Sequence, residues 1–122
     1  MKDKHTSPFL QEAKCRASIS RAYYAVFGQA RDQLRQREKH REPKPLLDAR
    51  GLPTGVHQYV RDMYQQSSEP TRQAIGANLD RLRQYRNIVD YELNNALLHN
   101  LPSTTQAVLS IAKKTLALLH NL

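Results

Sequence analysis

From Leu10 the apolar and small residues Ala13, Ala17, Ser20, Tyr24, Phe27 and Leu34 recur at steps of three or four, the spacing that puts side chains on one face of a helix. Ile19, Tyr23, Val26 and Ala30 widen that stripe to roughly half the circumference at about 100° per residue, more than one neighbouring helix covers. This first helix is therefore expected at the centre of the fold. Ser7-Pro8 supplies a capping hydroxyl followed by a ring already at helical φ. Pro43 and Pro45 interrupt the pattern, so the helix is predicted to end near Arg37 after about 45 Å.

The stretch from 38 to 53, EKHREPKPLLDARGLP, is polar and without period. It reads as a connection, long for a compact domain and expected to be mobile; it carries Lys39, His40, Arg41, Lys44 and Arg50. A second helix is predicted from Thr54-Gly55 to about Gln66, packing Val56, Tyr59, Val60 and Met63 inward. Ser67-Ser68-Glu69-Pro70 starts a third, with Ile75, Leu79, Leu82 and Val89 on one stripe. Ser103 and Gln106 have the form of a capping box, and Val108, Leu109, Ile111, Ala112, Leu116 and Leu119 complete a last helix. An additional short turn fits Asn94 to His99. The predicted fold is all-α, a single domain over 1–122 with its core at about 7–120, built as an up-and-down bundle of four principal helices with room for a short fifth.

Composition narrows the chemistry. A chain of 122 residues buries enough surface to fold without staples, and the lone Cys15 allows neither an internal disulfide nor a cysteine-based zinc site. No metal or cofactor is expected, and a reducing compartment is. No run approaches the ~20 apolar residues of a membrane span, and Met1 to Thr6 is polar; a cytoplasmic protein without membrane contact is the expectation. The net charge of +8 is uneven, since twelve of the 19 basic side chains lie in the first fifty residues. That excess fits a phosphate-bearing partner and fits equally a surface that only keeps the protein soluble. No phosphate-cradling glycine loop, HExxH or nucleophile elbow occurs.

One charge breaks a stripe. After Leu79 and Leu82 the third helix should present an aliphatic side chain at 86, and presents Arg86. A charge on a buried face needs a partner. Asp90, one turn on, offers a structural ion pair; alternatively Arg86 faces a cleft or subunit interface, where its planar fork of donors suits phosphate. Ser20 sits in the first helix's stripe in the same way, as a small hydroxyl that permits close packing.

Ser20-Arg21-Ala22-Tyr23-Tyr24-Ala25-Val26-Phe27 on the first helix and Leu82-Arg83-Gln84-Tyr85-Arg86-Asn87-Ile88-Val89-Asp90-Tyr91-Glu92 closing the third together resemble the HEPN domain (higher eukaryote and prokaryote nucleotide-binding), and most nearly its small bacterial and archaeal subgroup with an arginine followed by a stretch ending Asp-Tyr. Gly55-Val56-His57 is similar to the family's pattern in the second helix. The resemblance spans about residues 7 to 120. It implies a helical homodimer whose facing third helices form a cleft, and in many members a ribonuclease, often a toxin neutralised by a nucleotidyltransferase partner. Carried onto this chain, it implies Arg86, Asp90 and Tyr91 as the catalytic set, and Arg86, Arg83, Ser20, Tyr24 and His57 as the residues that bind RNA or nucleotide.

The family signature pairs its arginine with a histidine after four to six residues. Here four residues beyond Arg86 lead to Tyr91, and no histidine occurs from 86 to 98. Attack by a 2′-hydroxyl needs a group that exchanges a proton near neutrality; histidine does so at about 6.5, whereas tyrosine sits near 10. The expectation is weak or absent ribonuclease activity, with His57 and His99 as the histidines that could stand in. The alternative is a non-catalytic protein–protein interaction module with no nucleic-acid ligand.

Overall fold

The computed structural model describes residues 8–91 and 100–122. Helices dominate: α1 (Pro8–Asp32), continued by a π-helical turn at Gln33–Arg37, then α2 (Val56–Gln65), α3 (Pro70–Tyr91) and α4 (Leu101–His120). Among the described residues there is no strand, only one isolated antiparallel bridge between Leu47 and Pro53. The helices form a four-helix bundle in which α1 lies against α3 and α4, α3 against α4, and α2 on α3 and more lightly on α1. No described helix is long and apolar enough to cross a membrane. The Ser7 cap, the turn expected at 94–99 and His99 lie outside the described residues.

Most of the core comes from the predicted stripes, to which Tyr64 and Leu101 add, while Leu109 stays 36% exposed and Val56, Met63, Ile111 and Leu116 are only partly buried. Ile19, Tyr23, Val26, Ala30 and Leu34 of α1 and the π turn meet Tyr59, Val60 and Tyr64 of α2, Ile75, Leu79, Leu82 and Val89 of α3, and Leu101, Val108, Ala112 and Leu119 of α4. Each large side chain so buried stabilises the fold by about 1.5–3 kcal/mol. Two hydroxyls in the core also tie helices together: Tyr64 donates to the Ala30 carbonyl of α1 at 2.8 Å, and Thr115 donates to the Ile111 carbonyl while accepting from Asn78 of α3. Gly76 permits the closest approach of α2 and α3, because a Cβ there would stand 2.5 Å from Gln65 Cγ and 2.9 Å from its backbone nitrogen. Arg61 bridges the same two helices by a 2.8 Å ion pair with Asp80.

Three expectations are corrected. The α1 stripe is wider than its neighbours can cover, so Leu10 and Tyr24 stay 48% and 46% exposed, and Cys15 is buried instead. The α4 helix begins at Leu101 with Pro102 in its first turn, which places Ser103 inside the helix rather than at its cap. The connection at 38–53 is anchored rather than loose. Glu42 accepts from Arg31 Nε and Nη2, both at 2.8 Å, and from Arg35 at 3.0 Å; Glu38 pairs with Arg72 of α3; His40 bonds and stacks on Tyr59 of α2; Leu46 packs on the core. Its tip closes as a tight turn, in which the Asp48 carboxylate accepts from the Arg50 and Leu52 amides and Gly51 adopts φ +80°.

Candidate functional site

Residues from α1, α2 and α3 meet along the seam that α2 covers. Tyr23 and Tyr24 are adjacent on α1, so their side chains leave the helix about 100° apart. Tyr23 turns inward and is 2% exposed. Its hydroxyl lies 2.6 Å from His57 Nδ1 at the start of α2. The His57 ring stacks on Phe27 at 4.2 Å between centroids, stacks less closely on Tyr23, and meets Tyr24 edge-on.

From α3, Arg86 reaches the same rings. One guanidinium nitrogen donates to the Tyr24 hydroxyl at 2.8 Å and the other to the Asn87 side-chain oxygen at 2.8 Å. Its guanidinium carbon stands 5.4 Å from the Tyr23 centroid and 5.5 Å from the Tyr24 centroid, within cation–π range. The Nε atoms of Arg86 and Arg83 are buried without a hydrogen-bond partner among the described residues.

The structural pair between Arg86 and Asp90 does not form: the carboxylate instead accepts from Ser20 Oγ on α1 at 3.5 Å, a weak bond. Arg86 therefore holds no carboxylate among the described residues. Tyr91, at the end of α3, is 79% exposed and has no hydrogen bond or ring contact with this group. The seam thus gathers Ser20, Tyr24, His57, Arg86 and Asp90, with Arg83 beside them one turn earlier on α3, while Tyr91 takes no part in these contacts. Tyr23, Phe27 and Asn87 belong to the same cluster; the two aromatics were readable as core, and nothing in their spacing marked them as partners of a histidine and an arginine.

Burial and charge fix the protonation of the Tyr23–His57 couple. Burial, opposed by Arg83 and Arg86, pushes the Tyr23 hydroxyl up to about 12, so it keeps its proton. Burial, followed by repulsion from Arg83, Arg86 and Arg31, holds His57 below the usual histidine value, so the ring is neutral near pH 7. The Tyr23 hydroxyl can donate to a bare Nδ1 or accept from a protonated one, and either tautomer is served without moving a ring. His57 Nε2 has no protein partner among the described residues. What the cluster offers is a guanidinium with spare donors, a second arginine, a neutral imidazole and an exposed phenol ring, which together suit a phosphate and an adjoining base. Among the described residues no group of three or more His, Cys, Asp or Glu is placed to hold a metal.

Comparison with family models, with curated proteins and with solved structures returns no match for the chain.

Proposed function

We propose that this chain is a HEPN-like protein that binds RNA or nucleotide through Arg86 in a cleft shared between two copies, as one half of a toxin–antitoxin or related defence pair, with weak or absent ribonuclease activity. The observation that carries the reading is the state of Arg86: a half-buried guanidinium aimed by Tyr24 and Asn87 and paired with no carboxylate among the described residues, beside a second arginine. The Nε atoms of both arginines are closed off from solvent, so the donors a phosphate would meet are the spare N–H groups of the Arg86 Nη atoms, whose charge no described carboxylate neutralises. The weak-activity part follows from Tyr91, a poor proton acceptor near neutrality. A nucleotidyltransferase is the partner the resemblance implies.

Salt titration of oligoribonucleotide binding tests this reading. Binding that neutralises several phosphates weakens steeply with salt. A second reading, an interaction module, is favoured by the exposed Phe9 (84%), Leu10, Tyr24 and Tyr91 on α1 and the end of α3. It predicts no RNA binding and a protein contact nearly indifferent to salt. Sedimentation at micromolar concentration separately tests the dimer, and a monomer removes the shared cleft.

A further inference from the structure

The cations along α1 continue beyond the seam. One turn past Phe27, which carries the His57 ring, stands Arg31, and one turn further stands Arg35. Arg31 is close enough to His57 to depress its protonation. It is also clamped by both oxygens of Glu42 in the anchored connection. Beside that clamp lies an open cavity of about 430 Å³ lined by Arg35, His40, Arg41, Glu42, Lys44 and Leu46, with Pro43 completing the wall. Glu42 is the one carboxylate among its described lining residues, and it is shared by Arg31 and Arg35, two guanidinium groups against one carboxylate. Arg41 and Lys44 have no hydrogen bond or ion pair among the described residues, and both are exposed. His40, stacked on Tyr59 two residues after His57, ties the cavity to the α2 end of the seam.

We propose that this cavity is a second phosphate-binding subsite, in which Arg41 and Lys44 hold the phosphate and Arg35, shared with Glu42, adds to the positive field, and that the ligand of the protein is a single-stranded RNA spanning both sites rather than a mononucleotide. The inference rests on the phosphate-binding reading of Arg86 and extends it. From Tyr24 to Arg35 the chain climbs roughly 16 Å at the helical rise. A stacked strand advancing about 3.4 Å per nucleotide covers that distance in about five steps. Tyr24, half exposed and bonded to Arg86, offers a face for a base at the Arg86 end of that path. The spacing excludes one phosphate group from both sites at once.

Affinity is measured for uridine monophosphate and for an oligouridylate of about six nucleotides, a length within the range single-strand sites cover. The proteins are wild type, Arg41→Ala/Lys44→Ala, Arg86→Ala, and Lys113→Ala/Lys114→Ala on exposed positions of α4 as an equal loss of charge. The expected result is that the loop variant leaves the mononucleotide unchanged and weakens the oligomer about tenfold, with the salt slope reduced by about 1.4 units for two lost phosphate contacts. Arg86→Ala is expected to weaken both ligands, and the α4 variant neither by more than about twofold. If the loop variant and the α4 variant behave alike while Arg86→Ala still weakens binding, the subsite is wrong and the Arg86 reading stands. If Arg86→Ala changes neither ligand, the underlying reading fails. Charge reversal by Lys44→Glu, at an exposed side chain without a hydrogen bond or ion pair among the described residues, repeats the test independently.

Discussion

Arg86 donates to the Tyr24 hydroxyl across the α1–α3 interface and not to Asp90 on its own helix. The consequence is a charge oriented by a neutral group, whose own charge stays available. Among the described residues Arg86→Ala therefore breaks hydrogen bonds and ring contacts but no ion pair, and should lower stability by about 1–2 kcal/mol, where loss of a buried ion-pair partner would cost about 3 or more. Asp90→Asn should stay within about 0.5 kcal/mol of wild type. Urea unfolding of both variants checks the pair; a large loss in each would mean that the two side chains do pair.

The protonation of His57 gives a pH prediction with a definite sign. Its folded value lies below the ~6.5 of the unfolded chain. As pH falls the unfolded state binds the proton first, so the contribution of His57 to stability is full above about 6.5 and is lost as pH drops through the folded value. His57→Gln should flatten the stability curve in that window. Because burial is the main cause and the arginines add to it, Arg83→Ala and Arg86→Ala should each raise the folded His57 value without bringing it up to the ordinary one. An NMR titration of the ring protons reads this directly, and a downward move would contradict the assigned electrostatics.

Two glycines in helices should respond oppositely to alanine. Gly76→Ala drives a methyl into Gln65 and its backbone, so α2 and α3 must part and stability should fall by about 1–3 kcal/mol. Gly28 of α1 has nothing within 4 Å of a built Cβ, and Gly28→Ala should stabilise by about 0.5–1 kcal/mol. Thermal melts of the two variants moving in the same direction would count against the α2–α3 packing described above.

Glu42 ties the long connection to the end of α1. Arg31 holds its carboxyl below the usual range, so the tie persists at neutral pH. Glu42→Gln should expose the segment and speed tryptic cleavage after Lys39 and Arg50, neither of which precedes a proline or the changed residue, several-fold. Unchanged cleavage would show that the other anchors, Glu38–Arg72 and His40–Tyr59, suffice.

The helices α1 and α3 were legible because their apolar periods are long and Pro8 and Pro70 open them. The α4 helix showed its period but not its start, the ten-residue α2 rested on Thr54-Gly55 and a few apolar positions, and Arg86 announced itself by breaking a stripe. Its partner was not legible: spacing within α3 points to Asp90, whereas Tyr24 is 62 residues away in sequence. Nor could the pattern tell which of two adjacent tyrosines turns inward, since both fall on the α1 arc. The anchoring of the connection was hidden for a related reason. Its ties are mostly ion pairs and hydrogen bonds to α1, α2 and α3, which a count of apolar residues does not register. The π-helical turn at Gln33–Arg37 left no mark in a pattern read at the α-helical period.

The central claim is that Arg86 faces a phosphate, and the most direct measurement compares oligoribonucleotide binding by Arg86→Ala with that of Arg81→Ala, an exposed arginine on the same helix. Both remove one positive charge, so non-specific attraction falls equally. The account predicts that Arg86→Ala loses at least tenfold in affinity while remaining folded, and that Arg81→Ala changes it by no more than about twofold. Equal losses in the two variants, or undiminished binding by folded Arg86→Ala, would contradict it.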